Sequence, residues 1–362
     1  MASLLMISSY PARLCGVSDY THQIVRRLPA ELRCRTSRLD LRRGVPAYAR
    51  DTASVLLTML RTRPGCVHLQ YTPTTSGPLL PVILWAARYA IGAHVVITAH
   101  ERPSTYERKL PAPAAIAFRA WEAMALKAAS RVIVLSKTHQ QELRSRYRID
   151  SQFVHHGVDA GGADATIVVD RSHGRVPCIT FAGFVRPAKG VEDLVRAAPL
   201  IGERMGASRV SIVGATAERD RAYAAELRRL INDAQRDGSC TVEMTGAVSD
   251  GEFRQRLAAA DVFVFPFRAV SQSNTFNRAV AAGIPVVAAD AGGVGDVVHE
   301  HGVGLTYRGG DVRALADAVC RLLQDRELYA ACRERARKYA AASDWRVIAR
   351  QHVELYGSRE AA

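Results

Sequence analysis

Two cations stand three residues apart in a turn flanked by glycines, within the stretch "FAGFVRPAKGVEDL". Arg186 and Lys189 lie between Gly183 and Gly190, and a helical pattern begins directly after Gly190. Arginine offers a planar fork that binds phosphate oxygens in pairs, whereas lysine offers a mobile point charge. Beside a helix N-terminus, which also attracts anions, this pair predicts a pyrophosphate-binding turn. The alternative is that both are solvated loop cations.

A second polar turn begins the stretch "SQSNTFNRAVAAGIPVV", residues 271–287. Ser273 is a plausible N-cap for a short helix that ends near Gly283. The backbone N–H groups of Asn274 and Thr275 are then expected to leave the positive end of the helix, a setting that suits phosphate. Arg278 lies one turn further along. These residues predict a turn that binds phosphate.

Three more residues follow strand patterns at places where ligands bind. Gly16 precedes a helix start marked by Ser18, and Gly214 follows the strand "RVSIV". A glycine at such a turn lets the backbone approach a ligand, although it is also found in ordinary strand–helix turns. His100 ends the apolar run "HVVITAH". Because ligands of open α/β sheets bind beyond the carboxyl ends of the strands, His100 is a candidate catalytic residue.

The elements that must position these residues are short apolar strands, each followed by a helical pattern. Such near-continuous apolar runs are typical of parallel strands that are buried on both faces. The predicted strands are residues 3–9, 66–71, 94–100, 131–136, 152–158, 178–184, 209–215, 241–247, 261–267, 285–290 and 303–307. Eleven strands favour two doubly wound α/β domains over one. We place the first domain at residues 1–165 and the second at 175–344, with a final helix at 345–358.

The composition narrows the class of protein. The 362 residues include seven scattered cysteines without metal-type spacing, which fits a reducing cytoplasm and predicts no metal site. No apolar run reaches the length of a membrane span. The N-terminus lacks the pattern of a signal peptide. The net charge of +14 comes mostly from arginines interleaved with acids along helices, which makes nucleic acid an unfavoured partner.

The chain resembles the GT-B glycosyltransferases, specifically those of retaining family 4. The C-terminal series "FAGFVRPAKGVEDLVRAAP", "VSIVGA", "RAVAAGIPVVAADAGGVGDVV" and "SDWRVIA" carries most of the resemblance, and "YPARLCGVSDYTHQIVRRL" and "VHLQY" add to it. The resemblance implies two Rossmann-like doubly wound parallel-sheet domains and a C-terminal helix that crosses back. It implies a nucleotide-sugar co-substrate held by the second domain, an acceptor on the first, and no other cofactor.

The resemblance also implies roles for particular residues. Arg186 and Lys189 are expected to contact the donor diphosphate, with Gly16 close to it. His100 is expected to contact the transferred sugar. Enzymes of this kind are usually held to lack a protein nucleophile and to work without a metal, so catalysis consists of positioning and charge stabilisation.

One departure from the family pattern concerns two glutamates that are usually eight positions apart. Here they are replaced by Val270 and Arg278. The second glutamate commonly binds ribose hydroxyls, so its loss puts that contact in doubt. The basic Arg278 suggests a phosphate or an acidic sugar instead, and "SQSNTF" is similar to the serine-rich turn of some subgroups.

The sequence leaves other functions open. The main hypothesis is transfer of a sugar from a nucleotide-diphosphate sugar to a hydroxyl of a small molecule, natural product, lipid or polysaccharide. The alternatives are a nucleotide-sugar epimerase or phosphorylase, a degenerate GT-B subunit without activity, and a basic protein that binds nucleic acid or a membrane surface. The apolar helices "LLPVILWAARYAIG" and "PAPAAIAFRAWEAMALKAA" allow a peripheral contact with the inner face of a membrane, although packing on a sheet is the favoured explanation of their composition.

Overall fold

The computed structural model describes residues 3–9, 16–166, 176–268 and 272–357. Val270 and Ser271 of the polar turn, and residues 10–15 ahead of Gly16, lie outside the described residues. Contacts divide the chain into unit 1, Met1–Gly157 with Trp345–Ala362, and unit 2, Val158–Asp344. The boundary between the units thus falls between Gly157 and Val158, within residues that the sequence interpretation assigned to the first domain.

Unit 1 holds a six-stranded sheet in the order β2-β1-β3-β4-β5-β6, in which all the pairs are parallel. The strands are β1 (Ser3–Ser8), β2 (Arg33–Arg38), β3 (Cys66–Tyr71), β4 (His94–Ala99), β5 (Arg131–Val134) and β6 (Gln152–Phe153). The helices are α1 (Gly16–Val25), α2 (Val45–Thr62), α3 (Pro73–Ser76), α4 (Leu80–Trp85), α5 (Pro103–Glu107), α6 (Ala112–Lys127) and α7 (Lys137–Tyr147), with a π-helical stretch, Ala86–Ala90, after α4.

Unit 2 holds a second six-stranded parallel sheet, in the order β12-β11-β10-β7-β8-β9. Its strands are β7 (Cys178–Ala182), β8 (Ser208–Val213), β9 (Cys240–Gly246), β10 (Val262–Phe265), β11 (Val286–Ala289) and β12 (Gly304–Tyr307). Its helices are α8 (Val191–Met205), α9 (Arg221–Ala234), α10 (Asp250–Ala259), α11 (Asn274–Ala281), α12 (Gly292–His301), α13 (Val312–Gln324) and α14 (Arg326–Ala342). The last helix of the chain, α15 (Trp345–Gly357), belongs to unit 1.

The sheet of unit 1 buries both faces because successive side chains of a strand point to opposite sides. On β1, Leu5 and Ile7 join one apolar cluster, whereas Leu4 and Met6 join another. The second cluster also contains Trp345 of α15. The final helix therefore supplies part of the core of unit 1.

Two Rossmann-like domains with parallel sheets, as expected for a GT-B protein, are confirmed by this architecture. Each of the eleven predicted strands corresponds to a strand of the structure. Strand β2, "RCRTSR", was not predicted. It has no apolar alternation because it lies at the edge of the sheet, where its side chains are exposed or half-buried.

Candidate functional site

The candidate site of unit 2 lies at the carboxyl end of its central strands. The strand order reverses between β7 and β10, because β8 and β9 extend the sheet on one side and β11 and β12 on the other. Such a reversal is where open α/β sheets bind ligands. The turn with Arg186 and Lys189 follows β7, Gly214 follows β8, and the start of α11 follows β10. The sheet therefore brings three of the predicted turns to one edge.

Two glycines are required for these turns to meet. Gly214 has φ +149°, and a Cβ there would lie 1.9 Å from the carbonyl oxygen of Gly183. Gly190 has φ +61°, and a Cβ there would lie 2.0 Å from the carbonyl oxygen of Pro266, which follows β10. Any larger residue would force the backbones apart. Packing alone therefore requires a glycine at both Gly190 and Gly214, whether or not a ligand binds there.

Lys189 is a buried cation. It ends the 3₁₀ turn Pro187–Lys189, its residue is 8% exposed, and its Nζ lies 3.7 Å from the ring centroid of Phe267. Burial, and secondly the neighbouring charge of Arg186, lower the pKa of Lys189 to about 7. The aromatic face offsets part of the cost of desolvating the ammonium group. Protonated Lys189 would be stabilised by an anion beside it.

Arg186 is the second cation of this turn. Its Nε is buried and has no hydrogen-bond partner. Among the residues that the structure describes, neither Arg186 nor Lys189 forms an ion pair with a carboxylate. A buried N–H donor without an acceptor is costly, and two close cations repel each other. Within the described ranges this turn thus has two cations and no carboxylate partner, and its binding of a diphosphate stays a prediction.

The first turn of α11 is held by hydroxyl groups. The Ser273 Oγ accepts a hydrogen bond from the Phe276 N–H, which makes Ser273 the N-cap as predicted. The Thr275 hydroxyl donates to the carbonyl oxygen of Ala182, at the end of β7, over 2.9 Å. Ser273 Oγ lies 2.8 Å from Thr275 Oγ1 and must donate to it, since the Thr275 proton is already used. The hydroxyls therefore fasten α11 to β7, and the contact of the Asn274 and Thr275 N–H groups with a phosphate stays a prediction.

Arg278, in contrast, is surrounded by carboxylates. Its guanidinium binds both carboxylate oxygens of Asp164, and its Nη1 donates to Asp250 over 2.8 Å. It also lies over the ring of Phe253, with Cζ 4.0 Å from the centroid. The prediction that Arg278 holds a phosphate or an acidic sugar stays a prediction. The structure adds that this guanidinium already has charged partners.

In unit 1, His100 directly follows β4 and is partly buried. Its Nε2 lies 2.7 Å from Gln70 Oε1, and its ring packs edge-on against Tyr20 at 5.0 Å. Burial, followed by the nearby rings of His156 and His352, lowers the pKa of His100 to about 3. His100 is therefore neutral at physiological pH. Gly16, the first residue of α1, would place a Cβ in open space, so packing of the described residues does not require a glycine there.

Three residues that lie beside the candidate site residues were not singled out from the sequence. Phe267 was read only as part of an apolar strand, and nothing in "DVFVFPF" marks it as a lysine partner. His68 and Gln70 had a visible signal, because they are polar residues two positions apart in the otherwise apolar strand "CVHLQY". Within the described ranges, no group of three or more potential ligands could hold a metal ion.

Two family models match the chain, one in each half. The model for Glycosyltransferase Family 4 matches residues 14–161, and the model for Glycosyl transferases group 1 matches residues 176–325. The chain belongs to the GT-B glycosyltransferases of these groups. The family suggested by the motifs of the sequence is thus confirmed.

Several curated proteins are similar to this glycosyltransferase chain. The GDP-mannose-dependent alpha-(1-6)-phosphatidylinositol monomannoside mannosyltransferase of Mycobacterium tuberculosis is 31% identical over 197 residues, which cover 52% of this chain and 49% of that protein. The D-inositol 3-phosphate glycosyltransferase of Nocardia farcinica is 29% identical over 329 residues, or 85% of this chain and 70% of that protein. The chain matches only about half the length of the mycobacterial relative.

Solved structures agree on the fold. Sucrose-phosphate synthase from Thermosynechococcus elongatus superimposes with a TM-score of 0.75 at 20% identity, covering 98% of both chains. The Anabaena protein Alr3699/HepE, solved in complex with UDP, gives 0.73 at 18% identity and covers 98% of this chain and 99% of its own. At such identities the similarity concerns the fold alone.

Proposed function

We propose that this chain is a retaining glycosyltransferase that moves a sugar from a nucleotide-diphosphate sugar to a hydroxyl acceptor without a metal. The observation that carries the proposal is the turn after β7, where Arg186 and buried Lys189 lie together without a carboxylate partner in the described part of the chain. Family membership makes a nucleotide-sugar the ligand to expect at this place.

The donor diphosphate supplies the charge that this turn lacks. A buried ammonium group is stabilised by an adjacent anion, and the Arg186 fork matches two phosphate oxygens. The N–H groups of Asn274 and Thr275 add uncharged donors at the positive end of α11. Gly214 allows the backbone after β8 to approach the same ligand.

The proposed reaction places the developing charge on the diphosphate. The bond between the anomeric carbon and the phosphate oxygen breaks, and the leaving diphosphate keeps the electron pair. The acceptor oxygen bonds the anomeric carbon from the same face, and its proton passes to a phosphate oxygen. Arg186 and Lys189 stabilise the leaving group, while neutral His100 contacts the transferred sugar. No protein nucleophile is needed in this scheme.

We further propose a lipid-linked acceptor at an anionic membrane surface. Several large apolar side chains are exposed on two neighbouring helices. They are Leu79, directly before α4, Val82 and Trp85 of α4, Tyr89 of the π-helical stretch, and Ile116 and Met124 of α6. The two groups are neighbours, because the Trp85 indole N–H donates to the Met124 carbonyl oxygen over 3.1 Å. Exposed aromatic and aliphatic side chains on a basic protein suit a membrane interface.

Further observations bear on where the protein acts. Cys34, Cys66, Cys178, Cys240, Cys320 and Cys332 are free thiols, which supports a reducing compartment and hence the cytoplasmic face of the membrane. In the described chain, no helix has the length and apolar character needed to cross a bilayer.

The donor can be identified by thermal shift with a panel of UDP-, GDP- and dTDP-sugars, because a ligand that binds only the folded state raises Tm with its occupancy. We expect one base to stand out, and NMR of the product to show the anomeric configuration of the donor. Binding without transfer to any acceptor would favour the degenerate-subunit alternative. Binding to random DNA, with no response to any nucleotide-sugar, would favour the nucleic-acid alternative.

The membrane proposal has its own test. The protein is sedimented with vesicles of phosphatidylcholine containing phosphatidylserine, and Trp85→Ser is compared with Leu60→Ser, which removes an even more exposed apolar side chain from α2. We expect only Trp85→Ser to lose vesicle binding. Equal binding by both variants and the wild type would contradict a role for the surface on α4 and α6.

A further inference from the structure

A line of polar side chains crosses the buried face of the unit 1 sheet behind His100. Gln70 and His68 of β3 and Thr98 of β4 are each at most 1% exposed, on the face that packs against α1 and α15. A face of this kind is normally apolar, and buried polar groups persist only when they are hydrogen-bonded. The line ends at Tyr356 of α15.

The orientation of the Gln70 amide sets the direction of the hydrogen bonds in this line. Gln70 Oε1 can only accept, so His100 Nε2, 2.7 Å away, must carry the proton. Gln70 Nε2 can only donate, so His68 Nε2, 3.2 Å away, must be unprotonated. That nitrogen also accepts from the hydroxyl of Thr98 over 2.8 Å.

The remaining nitrogen of His68 completes the line. Neutral His68 must then carry its proton on Nδ1, which lies 2.8 Å from the Tyr356 hydroxyl oxygen and donates to it. The donors of His100, Gln70, Thr98 and His68 along the line each meet an acceptor. The direction of each bond depends on the next, so the tautomer of His100 is set by residues that lie progressively deeper in the core.

We propose that Gln70, supported by His68, is a positioning residue that holds His100 as its Nε2–H tautomer, so that Nδ1 accepts a hydrogen bond from a hydroxyl of the transferred sugar. This inference rests on the proposed function, in which His100 contacts that sugar. A tautomer with a proton on Nδ1 would present a donor instead, and a sugar hydroxyl would lose its acceptor. The second nitrogen of a functional histidine commonly decides its role in this way.

The groups around His100 favour its neutral form. Tyr20 of α1 packs edge-on against the ring, and the charges of His156 after β6, His352 of α15 and His139 of α7 disfavour protonation of His100. These neighbours give no carboxylate that would stabilise an imidazolium. His100 is therefore suited to accepting or donating one hydrogen bond at each nitrogen, and not to carrying a charge.

The first test reads the tautomer directly by ¹⁵N NMR of the histidine rings in the full chain without ligand. In the wild type we expect His100 Nδ1 to resonate as an unprotonated nitrogen and Nε2 as a protonated one. Gln70→Leu removes the acceptor, so we expect a mixture of tautomers. Gln140→Leu, which removes a glutamine hydrogen bond elsewhere in unit 1, should leave the His100 signals unchanged. A protonated Nδ1 in the wild type would overturn the proposal.

The second test separates positioning from folding. We expect Gln70→Leu to lower kcat by about 10–100-fold, the range found when the partner that orients a metal-binding histidine is removed. Its Kd for the nucleoside diphosphate should be unchanged, because that ligand binds unit 2. Gln70→Glu keeps an acceptor for the Nε2 proton, so it should recover part of kcat while adding a new ionisation to the pH profile. Wild-type kcat in Gln70→Leu would overturn the proposal.

A failure of the positioning role of Gln70 can be distinguished from a failure of the proposed glycosyl transfer. If the wild type binds nucleotide-sugars but transfers nothing, the proposed transfer fails. The His100 Nδ1 resonance then still decides the positioning role. A shift with the intact nucleotide-sugar, but not with the nucleoside diphosphate alone, supports a contact with the sugar, and no shift overturns it.

Discussion

Two basic regions of unit 2, the turn after β7 and the helix α11, have opposite surroundings. Arg186 and Lys189 of the turn have no carboxylate partner among the described residues, and Lys189 is buried against an aromatic ring. Arg278 of α11 meets Asp164 and Asp250. The first region is short of negative charge, whereas the second is balanced.

The difference shows why net charge alone says little about a binding site. Most arginines of this chain that the structure describes in ion pairs lie on exposed surfaces, where such pairs contribute little free energy. A cation can attract a ligand strongly only where it is desolvated and unpaired. Lys189 meets that condition, and the more conspicuous Arg278 does not.

If removing the charge of Lys189 left donor binding intact, the turn after β7 would not be the anion site that distinguishes it from α11. We expect Lys189→Met to weaken binding of the nucleoside diphosphate about 10–100-fold in calorimetry, because a charged hydrogen bond is lost. The same change should raise the Tm of the ligand-free protein, since it removes a buried unpaired charge. Lys338→Met, which removes an exposed lysine, serves as the control. A variant with lower Tm and unchanged affinity would contradict the assignment.

The pH dependence of donor binding is a second test of the turn after β7. The pKa of Lys189 is about 7 in the free protein, and the charge of a bound diphosphate raises it. The complex therefore holds more protons, so affinity for an intact nucleotide-sugar should fall as pH rises through 7, by up to about tenfold per unit. Calorimetry at pH 7 should show an uptake of about half a proton. Lys189→Met should abolish this uptake, and persistence of the uptake would assign it to another group.

Replacing Arg278 tests the second region, the helix α11, where the basic side chain already has carboxylate partners. We expect Arg278→Glu to destabilise unit 2 by about 1–3 kcal/mol, since a half-buried cation is exchanged for a charge that repels Asp164. Donor affinity and transfer rate should change little. Arg254→Glu, at the exposed partner of Asp250, provides a control with a smaller loss of stability. A loss of donor affinity in Arg278→Glu, with stability retained, would mean that Arg278 binds the donor after all.

The smallest effect is expected from a single backbone donor. Asn274→Pro deletes one N–H at the first position of α11, where proline is tolerated, and Ser273 already has the extended backbone that a following proline requires. We expect donor affinity to fall by about tenfold or less. Asn274→Ala keeps the N–H and should bind like the wild type. Equal affinities in both variants would remove α11 from the anion site.

Much of this organisation could be predicted from the chain. Apolar strands and the helices between them reveal two α/β domains, because burial on both faces leaves a continuous apolar signal. The edge strand β2 lacks that signal, so only its pairing with β1 identifies it. The polar turns could be predicted as well, since their residue types sit at strand ends.

The interaction partners of those polar residues could not be predicted from the sequence pattern. Arg278 and Asp164 are 114 positions apart, and His68 and Tyr356 are 288 apart. Contacts over such separations depend on strand order and on which face each helix covers, and neither leaves a local signature.

The polar turn that begins α11 shows what the local sequence determines and what only the tertiary structure determines. Its composition was enough to predict a capped helix start at a strand end, because capping depends on neighbouring residues. Its hydroxyl protons, however, are used to fasten α11 to β7, and its arginine is held by carboxylates from two other segments. Local chemistry determines which elements form and where polar groups gather. The packing of distant segments determines which of those groups are already satisfied, because a charge or a donor is available to a ligand only where the fold has left it without a partner.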